Sequence, residues 1–131
     1  MKTIIVKTNQ KRQVVDITDR LNQLIGRQDV SEGICVLFLT HTTAALTTAD
    51  LDPGTDLDLL DVLDQLVPKL KFRHPHDPSH VPDHILSSLT GTSLTVPIKN
   101  GALVLGTWQR VVLIEFNGPK TREVLLRSLH D

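Results

Sequence analysis

The run Ile34 to Leu39, with the sequence ICVLFL, is the segment that most limits the folds open to this chain. A nearly continuous apolar run of this length is typical of a strand that is buried on both faces or lies at the centre of a sheet. Gly33 breaks the chain before the run, and Thr40 and His41 follow it. The single cysteine, Cys35, lies inside the run, where a free thiol usually acts as a small core hydrophobe.

Short segments rich in Val, Ile and Thr near both ends of the chain predict further strands. The first two, Lys2 to Thr8 and Gln13 to Ile17, are separated by a polar stretch, which predicts an opening β-hairpin. Asn100-Gly101 lies between apolar runs and predicts a second hairpin. The later strands are expected at Ser93 to Ile98, Ala102 to Gly106, Gln109 to Phe116 and Thr121 to Leu129.

Three stretches between these strands have the spacing of amphipathic helices. They begin at Thr18, Thr55 and Pro82 and end at about Gln28, Pro68 and Gly91. Thr18 and Thr55 are placed as N-caps, and Ile85, Leu86 and Leu89 are expected to pack inward from the third helix. Strands at both ends with helices between them indicate one α+β domain over residues 1–131, with a mainly antiparallel sheet.

Composition excludes several classes of function. The formal charge of -1 provides no global basic field, so binding to nucleic acid or to a membrane surface would need a local patch, which the sequence lacks. No stretch approaches the roughly 20 apolar residues of a membrane span. Met1 to Thr3 leads straight into a strand-like pattern without the apolar region of a signal peptide. We therefore expect a cytoplasmic protein with no nucleic-acid or membrane partner.

The stretch Arg73 to His84, RHPHDPSHVPDH, holds four of the six histidines and two aspartates. Neutral imidazole is the commonest protein metal ligand and titrates near neutrality, and aspartate adds oxygen donors or a general base. Three prolines also make the stretch a polar loop in which clustered histidines are often solvated. A metal or catalytic site and a solvated loop are both open. His80 and His84 are expected to stack one helical turn apart, whereas His130 lies near a terminus that is expected to fray.

Three other positions have two interpretations each. Thr42 and Thr43 follow the apolar run, where hydroxyl groups either approach a ligand or satisfy a turn. Trp108 is either a filler of a core or interface or part of a site. Glu115 lies in the apolar run VVLIEF, where a buried carboxylate needs a partner and is either half of a structural ion pair or a site acid.

Four segments in order resemble the YjbQ-like family, also called UPF0047 or the secondary thiamine-phosphate synthase family. They are HTTAAL at His41 to Leu46, the loop between His74 and His84, SSLTGTSLTVPI at Ser87 to Ile98, and LGTWQRVVLIEFNGPK at Leu105 to Lys120. The resemblance implies a barrel-like core with two to three helices, a homotrimer, and a site of histidines and acids near the subunit boundary. It also implies a thiamine-phosphate synthase activity that joins a pyrimidine diphosphate to a thiazole phosphate.

The resemblance, together with the interpretations above, gives an expected site. The expected catalytic residues are His41, His84, Asp50 and Glu115; the expected substrate-binding residues are Thr42, Thr43, Trp108, Gln109 and Lys120. Two positions depart from the family pattern. Asp50 and Asp52 stand where the family has an Asn-Glu stretch, and Lys120 replaces an arginine, which removes the bidentate fork that suits phosphate.

The expected metal ligands are His41, His74 and His84. Three imidazoles leave one coordination position open and favour zinc, whereas a synthase acting on a diphosphate would favour magnesium held by Asp50 or Asp52. His76 and His80 are left open as contributors. The alternative to an enzyme is a trimeric module that holds a metal or a small anion without turnover.

Overall fold

The computed structural model describes residues 1–131 as a single small α+β domain whose antiparallel strands curl into a half-barrel, as predicted. The strands are β1 Lys2–Lys7, β2 Gln13–Asp16, β3 Gly33–Leu39, β4 Ala44–Ala49, β5 Ser93–Lys99, β6 Ala102–Leu103, β7 Arg110–Glu115 and β8 Thr121–His130. The helices are α1 Thr18–Arg27, α2 Thr55–Leu66 and α3 Val81–Thr90, with a 3₁₀ turn at Pro78–His80 before α3. None of them has the length and apolar character needed to cross a membrane.

Two sheets form the half-barrel, one of five strands in the order β1-β8-β3-β5-β6 and one of three in the order β2-β7-β4. β3 lies at the centre of the larger sheet, as its apolar sequence predicts. Its side chains alternate, because Cys35 and Leu37 are buried while Ile34 and Phe38 are exposed on the outer face. β3 is therefore central but is buried on one face only.

The strand that is buried on both faces is β7. Val111 and Leu113 belong to the main hydrophobic cluster, which lies between α1 and the two sheets. Val112 and Ile114 point the other way and belong to a smaller cluster with residues of α2 and α3. Because side chains alternate along a strand, Glu115 at the end of β7 faces the same interior as Val111 and Leu113.

The predicted opening hairpin is wrong, although both of its strands exist. β1 pairs with β8 and β2 pairs with β7, so the two segments belong to different sheets. Thr8 donates its backbone N–H to the carbonyl of Lys120 at 2.9 Å, and Gly118 donates to the carbonyl of Lys11 at 3.0 Å. The β1–β2 connection is thus held by the β7–β8 connection, which no local pattern specifies. The Asn100-Gly101 hairpin is confirmed, with positive φ at both residues as a type I′ turn requires.

Neither predicted threonine cap is formed. Thr18 is already the first residue of α1, and its Oγ1 accepts the backbone N–H of Val111 at 2.8 Å instead. Thr55 likewise opens α2 after Gly54, which has a positive φ of 90°. Tertiary contacts and turn geometry position these helix starts, so the local preference for a hydroxyl cap does not decide them.

Gly91 ends α3 as predicted, but only part of the predicted apolar face of this helix is buried. Leu86 is buried against β7, whereas Ile85 and Leu89 are exposed. α3 therefore contributes little to the core. It places His84 and Ser87 beside the segment that joins β3 to β4, where Ser87 Oγ donates to the carbonyl of Ala44 at 2.7 Å.

Candidate functional site

One end of the half-barrel opens into a cleft of about 570 Å³ where the β3–β4 connection, α3 and the start of β8 meet. A volume of this size is ordinary for a small-molecule site. The lining residues are Thr40, His41, Thr42, Thr43, His80, His84, Asn117, Lys120, Thr121 and Arg122. All are polar or charged and none is a carboxylate. We call this site the histidine cleft.

His41 and His84 present complementary ring nitrogens at the histidine cleft. Nδ1 of His84 lies 3.0 Å from the carbonyl oxygen of Thr42, a contact that places a proton on Nδ1 and leaves the lone pair of Nε2 available. Nε2 of His41 accepts the backbone N–H of Glu123 at 2.9 Å, so the proton of the neutral ring lies on Nδ1. Burial, with a further contribution from the nearby charge of Arg122, lowers the pKa of His41 from its ordinary value. His41 is therefore a neutral donor, and His84 is the ring that can exchange a proton.

His74 is not among the residues that line the histidine cleft. Its Nδ1 accepts the backbone N–H groups of His76 at 3.3 Å and Asp77 at 3.1 Å. The ring of His74 stacks on that of His84, with centroids 5.3 Å apart and an interplanar angle of 14°. The expected stack of His80 on His84 is wrong, because Nε2 of His80 instead pairs with the carboxylate of Asp77 at 3.2 Å.

The expected three-histidine metal site is not supported. A metal ligand needs a free lone pair, and those of His41 and His74 already accept backbone N–H groups. Of the three expected ligands only His84 keeps a free lone pair, on Nε2, and no group of three or more His, Cys, Asp or Glu side chains is placed to hold a metal ion. The donor set therefore does not fit zinc. It does not fit magnesium either, because no carboxylate lines the cleft.

Glu115 lies beneath the histidine cleft and is 0% exposed. Its carboxylate accepts from Thr8 Oγ1 at 2.7 Å, from the backbone N–H of Asn117 at 3.1 Å and from both Nε and Nη2 of Arg122. Burial alone would raise the pKa of Glu115, but the hydrogen bonds from Arg122, Thr8 and Asn117 outweigh it and lower the pKa. Of the two interpretations of Glu115, this geometry favours a structural ion pair over a site acid. A substrate has no route to an enclosed and fully bonded carboxylate.

Arg122 was not anticipated from the sequence and connects Glu115 to the cleft. The residue is 3% exposed, and its Nη2 also donates to Oγ1 of Thr43 at 2.8 Å and to the Thr43 carbonyl at 3.0 Å. The sequence did contain a signal for a buried charge at this position. Arg122 alternates with the apolar Val124 and Leu126 on the inward face of β8. A charge on the apolar face of a strand requires a buried partner.

The remaining expected site residues lie elsewhere. Asp50 and Trp108 line a separate cleft of about 240 Å³ at the other end of β4, a strand whose length corresponds to roughly 17–20 Å. Trp108 is 70% exposed, so it fills no core within the chain. The Gln109 side chain closes a local turn, accepting from Gly106 N–H at 3.0 Å and donating to Thr48 Oγ1 at 3.1 Å. The expected site thus divides into His41, Thr42, Thr43, His84 and Lys120 at one end and Asp50, Trp108 and Gln109 at the other.

Known proteins resemble this chain over nearly its full length. The family profile described as UPF0047 protein YjbQ-like matches residues 2–131. A UPF0047 protein of Archaeoglobus fulgidus is 35% identical over 127 residues, which cover 96% of this chain and 98% of the relative. A UPF0047 protein of Methanocaldococcus jannaschii is 38% identical over 127 residues, covering 96% and 91% of the two chains.

Solved structures agree with this assignment. The crystal structure of a YbjQ-like protein from Sulfolobus solfataricus superposes with a TM-score of 0.92 at 29% identity, covering 99% of this chain and 96% of that chain. The structure of a YjbQ/UPF0047 family protein from Clostridium acetobutylicum gives a TM-score of 0.89 at 37% identity, covering 98% and 100%. The chain belongs to the YjbQ-like UPF0047 family.

Proposed function

We propose that this protein is a transferase of the thiamine-phosphate synthase type, which joins a pyrimidine diphosphate to a thiazole phosphate in the histidine cleft. The observation that carries the proposal is the lining of the cleft, which holds histidines, hydroxyl groups, Lys120 and Arg122 but no carboxylate. Such a lining suits substrates whose dominant charge is phosphate, because hydrogen bonds from charged donors to phosphate oxygens are short and strong. A carboxylate there would repel both substrates.

The reaction needs little covalent participation by the protein. The thiazole nitrogen forms a bond to the methylene carbon of the pyrimidine, and the bond from that carbon to the diphosphate oxygen breaks. Diphosphate leaves with the electron pair, so negative charge grows on its oxygens. Donors aimed at that position stabilise the developing charge, and this stabilisation is commonly the largest single contribution to catalysis.

His84 is the proposed acid–base residue. Its Nδ1 is held by the carbonyl oxygen of Thr42, which orients the ring and directs Nε2 as the nitrogen available to exchange a proton. In its protonated form His84 can give that proton to the leaving diphosphate. His41 contributes a neutral N–H donor because its other nitrogen accepts from Glu123.

A binding module without turnover is the second candidate, and one observation favours it. Of the four expected catalytic residues, Glu115 is enclosed and Asp50 lies at the other end of β4, so only His41 and His84 remain at the cleft. Holding an anion requires donors but no acid–base group. The transferase and the binding module therefore differ in whether their function needs the Nε2 lone pair of His84 for proton transfer.

We also propose that the protein is cytoplasmic, and that it assembles as a homotrimer, as the family resemblance implies. Support for assembly comes from the outer face of the five-stranded sheet, which exposes Ile5, Ile34, Phe38 and Leu129. Exposed apolar residues on neighbouring strands of one sheet are a typical subunit interface. Light scattering that returned the monomer mass of 14.6 kDa would contradict a trimer.

Formation of thiamine phosphate from its two phosphorylated halves tests the enzyme directly. We expect turnover by the parent protein, and a rate lower by about a hundredfold or more in His84→Asn, since general acid–base catalysis is typically worth that factor. Asparagine keeps a donor near the Thr42 carbonyl but has no equivalent of Nε2. His130→Ala is the matched control, because His130 is exposed at the end of β8. Equal and slow conversion by the parent and His84→Asn would favour the binding module.

A further inference from the structure

The buried guanidinium of Arg122 has one nitrogen that the protein does not use. Nε and Nη2 donate to Glu115 and Thr43, whereas Nη1 has no hydrogen-bond partner in the chain. The only fully enclosed side-chain polar atom without a partner is Oγ of Ser128, so Nη1 is reached by solvent. Arg122 lines the histidine cleft, and the cleft is therefore the space that Nη1 faces.

Two further donors line the same space without a partner. Lys120 forms no ion pair and its Nζ makes no hydrogen bond, while its backbone anchors the β7–β8 connection to Thr8. Nδ1 of His41 carries the proton of the neutral ring, since Nε2 accepts from Glu123, and Nδ1 has no partner in the chain. Lys120, His41 and Arg122 therefore supply three different kinds of N–H to one cleft.

Lys120 and Arg122 line the histidine cleft, and only Arg122 has a carboxylate partner. Glu115 neutralises Arg122 from the side opposite the cleft, and the carboxylate of Asp77 lies 3.2 Å from Nε2 of His80 at the rim. Asp83 is buried on α3 and pairs with Lys11 and Arg12. The side chain of Glu123 is exposed and forms no ion pair, so it alternates to the outer face of β8. Lys120 is thus the unpaired charge of the cleft.

We infer that the histidine cleft binds the diphosphate or phosphate group of its substrate directly, through Arg122, Lys120 and His41, with no divalent metal between protein and anion. This inference rests on the site of the proposed function and specifies how that site holds its ligand. Magnesium sites on phosphates use carboxylate oxygens, and none lines this cleft. Zinc requires several convergent ligands with free lone pairs, and no group of three or more His, Cys, Asp or Glu side chains is placed to hold a metal ion. The Arg122 guanidinium supplies a fixed N–H donor, and the Lys120 ammonium supplies the unpaired positive charge that a metal ion would otherwise contribute.

Calorimetric titration with inorganic pyrophosphate tests this inference on the full chain. The titration is run at low ionic strength in excess EDTA and repeated with magnesium or zinc. We expect binding in EDTA that is at least as strong as with either metal, because both metals also complex pyrophosphate in solution. Lys120→Ala should weaken it by about tenfold or more, because a hydrogen bond to a charged group commonly contributes at least that factor. His41→Gln, which keeps an acceptor for the Glu123 N–H but removes the Nδ1–H, should also bind more weakly.

Lys99→Ala is the matched control. Lys99 is an exposed lysine at the far end of β5, and its removal lowers the net charge equally without touching the cleft. Absence of pyrophosphate binding in EDTA, or binding that appears only when metal is added, would overturn the inference. Equal weakening by Lys99→Ala and Lys120→Ala would overturn it too, because the anion would then respond to net charge alone. If turnover required magnesium, the inference would fail and the proposed function would stand. If pyrophosphate bound without metal but no turnover occurred, the proposed function would fail and the inference would stand.

Discussion

Arg122 and Glu115 form an ion pair that is enclosed between the core of the half-barrel and the histidine cleft. Thr8 and the backbone N–H of Asn117 satisfy the remaining acceptor sites of the carboxylate. The pair fixes the guanidinium so that one side faces Glu115 and the other faces the cleft. A rigid, pre-organised donor of this kind binds an anion without the entropic cost of ordering a mobile side chain.

The first prediction concerns removal of one partner of this pair. Glu115→Ala should reduce the free energy of unfolding by about 3–5 kcal/mol, because it leaves the Arg122 charge buried without compensation. Urea denaturation of the parent and the variant measures the loss. The double variant Glu115→Ala/Arg122→Met should recover part of the stability, since it removes both charges. A loss below about 1 kcal/mol in Glu115→Ala would mean that Arg122 turns toward solvent instead.

The second prediction is that the free energy of unfolding falls at acid pH because Glu115 becomes protonated. Because the folded pKa of Glu115 is lowered, its contribution is fully present above the ordinary value of 4.5 and is lost as the pH falls through the folded pKa. The stability of the parent should therefore drop as the pH falls below the ordinary value of 4.5 and through the lowered folded pKa. Glu115→Gln should show a shallower drop, measured as urea midpoints across that range. Asp16 has a lowered pKa as well, so Asp16→Asn serves as a separate comparison. Identical slopes in the parent and Glu115→Gln would contradict the assignment.

The third prediction concerns His41. Burial and the charge of Arg122 lower its pKa, so its ring should titrate below the ordinary value of 6.5 in a proton NMR titration. Charging this ring costs stability as the pH falls, because the cation loses the lone pair that accepts from Glu123. His41→Gln should keep the melting temperature close to that of the parent, whereas His41→Ala should lower it. A midpoint above 6.5 would show that the fold stabilises the charged ring and that Nε2 is not an acceptor.

Local patterns in the sequence predict the strands and helices well because hydrophobic periodicity reports directly on burial. The run Ile34 to Leu39 is the central strand of its sheet, and Asn100-Gly101 forms the tight turn that its residues require. Local patterns do not predict which strands pair with each other. β1 and β2 are adjacent in the chain and yet join different sheets, because contacts such as Thr8 with Lys120 cross more than a hundred residues.

The site is less predictable, because a residue's type indicates a possible role but does not show where its side chain points or which partners it binds. His41 and His74 have the right chemistry for a metal, but the lone pairs that a metal would need accept backbone N–H groups. Asp50 follows His41 by only nine residues, and the intervening strand carries it to the opposite end of the sheet. Arg122 could have been identified from its position among inward-facing apolar residues, which is a signal of a buried ion pair.

The last prediction concerns a polar atom that the fold leaves unsatisfied. Oγ of Ser128 in β8 is enclosed and has no hydrogen-bond partner. Its cross-strand neighbour is Cys35, whose pKa is raised to about 11 by burial, so the neighbour is a neutral thiol and a weak hydrogen-bonding group. Enclosing an unpaired hydroxyl opposes folding, and removing it restores that free energy.

Ser128→Ala should therefore raise the free energy of unfolding by about 1 kcal/mol, equivalent to roughly 3–5 °C in melting temperature for a domain of this size. Ser93→Ala, at an exposed position of β5, is the matched control and should change the melting temperature little. Calorimetry of the two variants beside the parent measures both effects. If Ser128→Ala proved less stable than the parent, the hydroxyl would have to be bonded in solution, by an ordered water or by the Cys35 thiol, and the strand pair would gain stability from it.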